Sequence, residues 1–236
     1  MKGISFQNGI EYKITISGER WEQGDTISGE LQATAKNQGV TLDAHTAQVI
    51  LAETTERKLK LKSKEAFKVI GQVQATHATL AWEFKLPIDA RITDKAAGLC
   101  ILYGAQVDPH ALGILKLNIL PHHYFQDLIE LMRTEFRYLL KGMAAGKDGW
   151  ADAKFEDLIL SFKLSEETIN VNFEFSRERV DAMKAGLQTK TEKQEFFRSW
   201  DTHEFVHRFN DRINKDVATA AIQNVISEYK TAGFLA

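Results

Sequence analysis

Alternation with a period of two is the feature that most constrains this chain. Ile10, Tyr12, Ile14 and Ile16 alternate with Glu11, Lys13, Thr15 and Ser17. Successive side chains on a strand point to opposite faces, so this pattern places one face in a core and the other in water. Ile27, Gly29, Leu31 and Ala33 repeat it, as do Ala78, Leu80, Trp82, Phe84 and Leu86. The stretch from Leu99 to Val107 is apolar on both faces, which predicts a central strand. Leu112 to Leu120 predicts a further strand, closed by Pro121. Turn residues separate these runs at Gly18-Glu19, Gln23-Gly24-Asp25, Asn37-Gln38-Gly39 and Asp108-Pro109. Strands at this spacing without intervening helices predict an antiparallel β-sandwich over residues 1–120.

The remainder, 121–236, reads as a second β-rich half with helices. Phe125, Leu128, Ile129 and Met132 follow the helical period after Pro121. Gly142–Gly149, rich in glycine and alanine, is expected to be a loop. Leu158, Leu160, Phe162 and Leu164, then Ile169, Val171, Phe173 and Phe175, form the clearest hairpin pattern. Val180, Met183 and Leu187 predict a short helix stopped at Gly186. A last helix is expected over 216–232, capped by Asn214 or Asp216 and followed by Gly233.

Composition excludes several classes. With 30 basic and 32 acidic residues in 236, no global field points to nucleic acid. One cysteine, Cys100, allows no internal disulfide and no multi-cysteine zinc site, and its apolar strand predicts an unreactive thiol. The N-terminal residues lack the apolar stretch of a secretory signal, and no run is long enough to span a bilayer, so a cytoplasmic location is expected.

Two segments carry candidate sites. Read as a strand, Arg57–Lys64 sets Lys58, Lys60, Lys62 and Lys64 on one face. The plain reading is a solvated edge; the sharper one is a patch for an acidic partner or a membrane surface. His203-Glu204-Phe205-Val206-His207 matches H-E-x-x-H, and Glu228 lies downstream as a third candidate zinc ligand. On a helix the two histidines lie one turn apart on one face, close enough for one ion. On a strand, with Phe205 and Phe209 also alternating, they stand about 13 Å apart, too far for one ion. Asp201 and Arg208 are charged neighbours unlike those of a buried zinc helix, so the first reading has no metal, no cofactor and no catalytic residue. His122-His123 reads as a solvated helix start. Phe196, Phe197 and Trp200 read as core or seam, with a partner or homodimer surface as the alternative. No glycine-rich phosphate loop and no nucleophile elbow is present.

Ser17-Gly18-Glu19-Arg20-Trp21-Glu22-Gln23-Gly24-Asp25-Thr26-Ile27-Ser28-Gly29-Glu30-Leu31 resembles the opening hairpin of arrestin-fold domains, with Gln23 where that family usually has proline. Trp82-Glu83-Phe84-Lys85-Leu86-Pro87 resembles that family's strand ending in Leu-Pro, and Leu102-Tyr103-Gly104 resembles its next strand. These landmarks cover about residues 10–120. The bacterial arrestin-like sporulation-control family is the subfamily they resemble, since its members continue into a second half of this kind; its short helix after a proline, followed by a strand, implies a strand over Glu135–Leu140 here. The resemblance implies a non-enzymatic scaffold or regulator that binds other cytoplasmic proteins through sandwich faces and loops, linked to sporulation control or cell physiology. A zinc-dependent hydrolase using 203–207 is the alternative.

Overall fold

The computed structural model describes residues 1–37, 46–60, 66–95, 97–105, 111–183 and 186–232, with the side chains of 178–190 outside the description. The chain divides into two compact units, Met1–Leu120 and Pro121–Ala236.

In the first unit, β1 (Lys2–Gln7) and β2 (Ile10–Ile16) form a hairpin. Its two-residue connection, Asn8-Gly9, has positive φ at both positions, 50° and 77°, as the turn matching strand twist requires. After β3 (Trp21–Glu22), β4 (Thr26–Ala35) pairs with β2, and later β7 (Thr79–Lys85) pairs with β4. This sheet has the order β1-β2-β4-β7. A second sheet is built from β5 (Ala47–Thr55), β6 (Phe67–Ala75), β8 (Ala97–Ala105) and β9 (Gly113–Lys116), in the order β6-β5-β8-β9. One core joins the two sheets: Tyr12, Ile14, Leu31, Trp82 and Phe84 meet Val49, Leu51, Leu99, Ile101 and Tyr103. This is the sandwich that the alternation predicts. β8 is apolar on both faces because Cys100 and Leu102 join Ile50, Ala52 and Leu112 in a second cluster, while Leu99, Ile101 and Tyr103 face the main core.

Gly29 is fixed by close approach. A Cβ there would lie 2.3 Å from the Thr15 carbonyl oxygen and 2.6 Å from the Trp82 ring. Only a bare backbone lets that indole lie across β4. Trp82 is buried, and its Nε1 has no hydrogen-bond partner among the described residues. Gln23, standing where the arrestin-fold families usually have proline, is buried as well. Its Nε2 donates to the Ala90 carbonyl at 2.6 Å.

Two expectations in this unit are corrected. Leu112–Leu120 is not one strand. It breaks after β9, where Leu117 N donates to Leu99 O and Trp21 N donates to Asn118 O. The chain then leaves the second sheet, and β10 (Ile119–Leu120) pairs in parallel with β3. Arg57–Lys60, the described part of Arg57–Lys64, does not form the expected strand. Glu56–Lys60 is a short helix, α1, started by Lys58 N donating to the Thr55 hydroxyl at 3.2 Å. Glu56 pairs with Lys60 one turn on, at 3.6 Å, and with Lys116 of β9 at 3.3 Å.

The second unit opens with α2 (His123–Thr134), whose Tyr124 N donates to the His122 ring at 3.3 Å. Tyr124, Phe125, Leu128, Ile129, Leu131 and Met132 are buried. A five-stranded antiparallel meander follows: β11 (Gly142–Ala145), β12 (Ala151–Lys154), β13 (Leu158–Leu164), β14 (Thr168–Met183) and β15 (Gly186–Asp201). Helix α3 (Thr202–Phe205) and helix α4 (Lys215–Ala232) complete the unit. Asn214 caps α4, accepting from Val217 N through its side chain. Aromatic pairs fill the core: Phe125 stacks on Phe162 at 5.1 Å, Tyr229 on Phe175 at 4.2 Å, and Phe205 on Trp200 at 4.2 Å.

Three further expectations are corrected here. Glu135–Leu140 is not a strand: Arg137 has a left-handed φ of 59°, and Tyr138 N returns to Met132 O, wrapping the end of α2. The first edge strand instead lies in the glycine- and alanine-rich stretch at Gly142–Ala145, expected to be loop. The helix expected around Val180, Met183 and Leu187 does not form. Those positions belong to β14 and β15, which stay paired from Thr168↔Asp201 to Met183↔Gly186. The β14–β15 ladder carries β14 on past Phe175, where its pairing with β13 ends, and a three- or four-residue apolar spacing in so short a stretch does not outweigh it.

Candidate interaction loop

The H-E-x-x-H match falls where β15 gives way to α3. Asp201 caps α3, accepting from His203 N at 2.7 Å. The helix ends at Phe205, so His207 lies beyond it and the two histidines are not one turn apart on a shared helix. His207 N donates to Arg212 O at 2.8 Å. Glu228 on α4 pairs with Arg198 of β15 at 2.6 Å. Among the described residues, no three His, Cys, Asp or Glu side chains are placed to hold a metal. The segment is neither the zinc helix nor the alternating strand weighed above.

What it forms is a braced loop, His207–Arg212. Val206 bridges to Ile213 across its base, and Asp211 N donates to His207 O at 3.2 Å. Asp211 takes φ 50°, which tightens the turn. Arg212 grips Asp127 of α2 with Nε and Nη2, a two-pronged contact of the strong kind, and Ile213 N donates to the same carboxylate at 3.1 Å. Burial pushes the Asp127 carboxyl upward, but the Arg212 guanidinium and the Ile213 amide outweigh it and hold it below the usual carboxylate range. The Tyr124 hydroxyl donates to Asp211, and the His123 ring meets Asp211 O at 2.9 Å. Burial, then that hydrogen bond, push the Tyr124 phenol upward. His122 and His123 therefore do structural work at α2 rather than being merely solvated. At the tip, Phe209 is 101% exposed, flanked by exposed Arg208 and Asn210.

The remaining candidates are dispersed. Lys58 and Lys60 lie on α1, where residues two apart do not share a face; Lys62 and Lys64 lie outside the described residues. Cys100 is buried, and burial pushes its thiol up to about 12, which removes its reactivity. Phe196 packs against Phe175 and Tyr229, and Trp200 against Phe205, as core. Phe197, between them, points outward beside Trp150. Sequence reasoning missed the Phe209 loop. Its signal was present: an aromatic residue followed by Asn210-Asp211, a pair that favours turns.

The fold is an arrestin-like β-sandwich carried into a second β-rich unit with C-terminal helices. Among solved structures, Spo0M, a sporulation control protein from Bacillus subtilis, matches it with a TM-score of 0.61, at 12% identity over 94% of this chain and 100% of that one. No family model matches the chain, and no curated protein matches it. No helix among the described residues is long and apolar enough to cross a membrane.

Proposed function

We propose that this chain is a non-enzymatic regulatory protein of the cytoplasm that binds another protein, with Phe209 as the anchor. The observation that carries this reading is the pairing of full exposure with bracing. A large apolar ring stands in water on a loop held by a strand bridge, an arginine–carboxylate grip and a tyrosine hydrogen bond. Such an anchor loses little conformational entropy on docking, and exposed aromatics of this kind dominate binding energy at interfaces. Likeness in fold to a sporulation control protein supports a regulatory role, in sporulation or, outside spore formers, in cell-division or envelope physiology. The dispersal of His203, His207 and Glu228 supports binding over zinc hydrolysis.

A photo-reactive phenylalanine analogue at position 209, in the full chain expressed in its own cells, tests this. One protein cross-linked from position 209 and not from Val217 on α4 is the expected result, competed away by excess wild-type chain and not by a Phe209→Asp chain. No cross-link at 209 above that control overturns the anchor. A parallel charge reversal at Lys58 and Lys60 tests the basic segment, and unchanged cross-linking removes it.

A further inference from the structure

Sheet edges are where a β protein must guard against unwanted pairing, and charges, bulges and short length are the usual guards. In this protein most edges carry one. β7 exposes Glu83 and Lys85. β6 exposes Lys68 and faces a register shift between Leu51 and Ala52. β9 and β11 are four residues long. The described part of β15 carries Glu192, Lys193, Glu195 and Asp201. β1 is the exception. It runs six residues without a bulge, carries one charge, Lys2, and turns Ile4 and Phe6 outward at 57% and 68% exposure.

Its backbone is set up to pair. In a two-residue hairpin the closing pair, Gln7↔Ile10, is hydrogen-bonded, and bonded pairs then alternate along the ladder. Gly3, Ser5 and Gln7 therefore bond to β2, while Lys2, Ile4 and Phe6 turn their N–H and C=O groups to the open edge. The strand is held from its other face. Gln7 donates from Nε2 to Ala111 O at 2.6 Å and accepts from Ala105 N at 2.7 Å. A Cβ at Gly3 would already touch the Tyr103 hydroxyl oxygen, at 2.6 Å.

We propose that β1 pairs with β1 of a second copy of this chain, antiparallel about a two-fold axis through Ile4, joining two four-stranded sheets into one of eight. The residue pattern is self-complementary in that register. Ile4 meets Ile4, and Lys2 of each copy meets Phe6 of the other, its stem across the ring and its ammonium over the π face. All three facing pairs fall on the residues whose backbone groups point outward, so each pair contributes two backbone hydrogen bonds. A net charge of −2 per chain opposes the approach only weakly. This interface is independent of the Phe209 loop.

Sedimentation velocity of the full chain over a concentration series tests it. The average mass should rise from 26.7 kDa toward twice that value with concentration. Phe6→Lys, which sets like charges opposite Lys2, should remain monomeric with an unchanged circular dichroism spectrum. Oxidative cross-linking then reads the register. Ile4→Cys should give a disulfide dimer, because the facing Cα atoms stand about 5.5 Å apart. Phe6→Cys should not, because the two copies of position 6 are about 13 Å apart. Cys100 is buried and does not compete. A wild-type chain that stays monomeric throughout the series, or a Phe6→Cys variant that cross-links as readily as Ile4→Cys, overturns the proposal.

Discussion

The two units solve the same problem with different materials. In Met1–Leu120 one sheet covers another, and the core is mostly aliphatic with Tyr12, Trp82 and Phe84 set into it. In Pro121–Ala236 a single meander is lined by aromatic residues, and Phe125, Phe205 and Tyr229 from the three helices stack on Phe162, Trp200 and Phe175. The first sheet seats the Trp82 indole of β7 across β4 only because a side chain is missing at Gly29. Ring stacks from helices need no such gap but depend on each ring. The first core is therefore sensitive to added atoms and the second to removed ones.

The sharpest way to break this contrast is Phe162→Ala, which empties the ring stack below α2. It should cost ~3–5 kcal/mol in a denaturant titration. If aromatic stacking is not what holds the second unit, the loss will resemble that of an ordinary surface change. Gly29→Ala is the complement: one added methyl should cost about 1–3 kcal/mol, because a Cβ there meets the Thr15 carbonyl and the Trp82 ring. Arg212→Ala should cost about 1–3 kcal/mol, leaving the Asp127 carboxylate without its main partner.

Arg212→Ala also changes the acid response. The lowered Asp127 pKa contributes stability that is present above the unfolded carboxylate value of about 3.9 and is lost as pH falls below it, through the folded value. The wild type should lose that increment in acid, and the variant should have little left to lose. Phe209→Ala is the smallest effect, within about 0.5 kcal/mol in stability, since its ring touches solvent. A larger loss would mean that the ring packs in solution and is not an anchor.

Much of the sandwich was legible because half-buried strands write their faces into the sequence. β2, β4, β7, β13 and the first half of β14 alternate visibly. β1 was missed although Asn8-Gly9 between Ile4, Phe6 and Ile10 is a strong hairpin signal. β5 is buried on both faces over Ala47–Ala52, with Gln48 among the apolar residues, so it shows no period of two. Lys58 and Lys60 misled because alternating lysine and leucine suit a strand, while the Thr55 hydroxyl and the Glu56 pairings favour a helical turn. The H-E-x-x-H match illustrates a different limit. Residue spacing specifies a metal site only if the helix runs through it, and α3 stops at Phe205. The loop that replaces it is held by Asp127 and Tyr124, far away in sequence, so no local pattern could announce it.

The bare indole nitrogen of Trp82 gives the first unit a built-in optical gauge. An indole sealed from water, with no acceptor on Nε1, should emit toward the blue end of the tryptophan range and exchange its ring proton slowly. Its emission should move red as soon as β7 parts from β4. With Trp21, Trp150 and Trp200 replaced by phenylalanine, the sandwich would then report its own opening through Trp82, with no label attached.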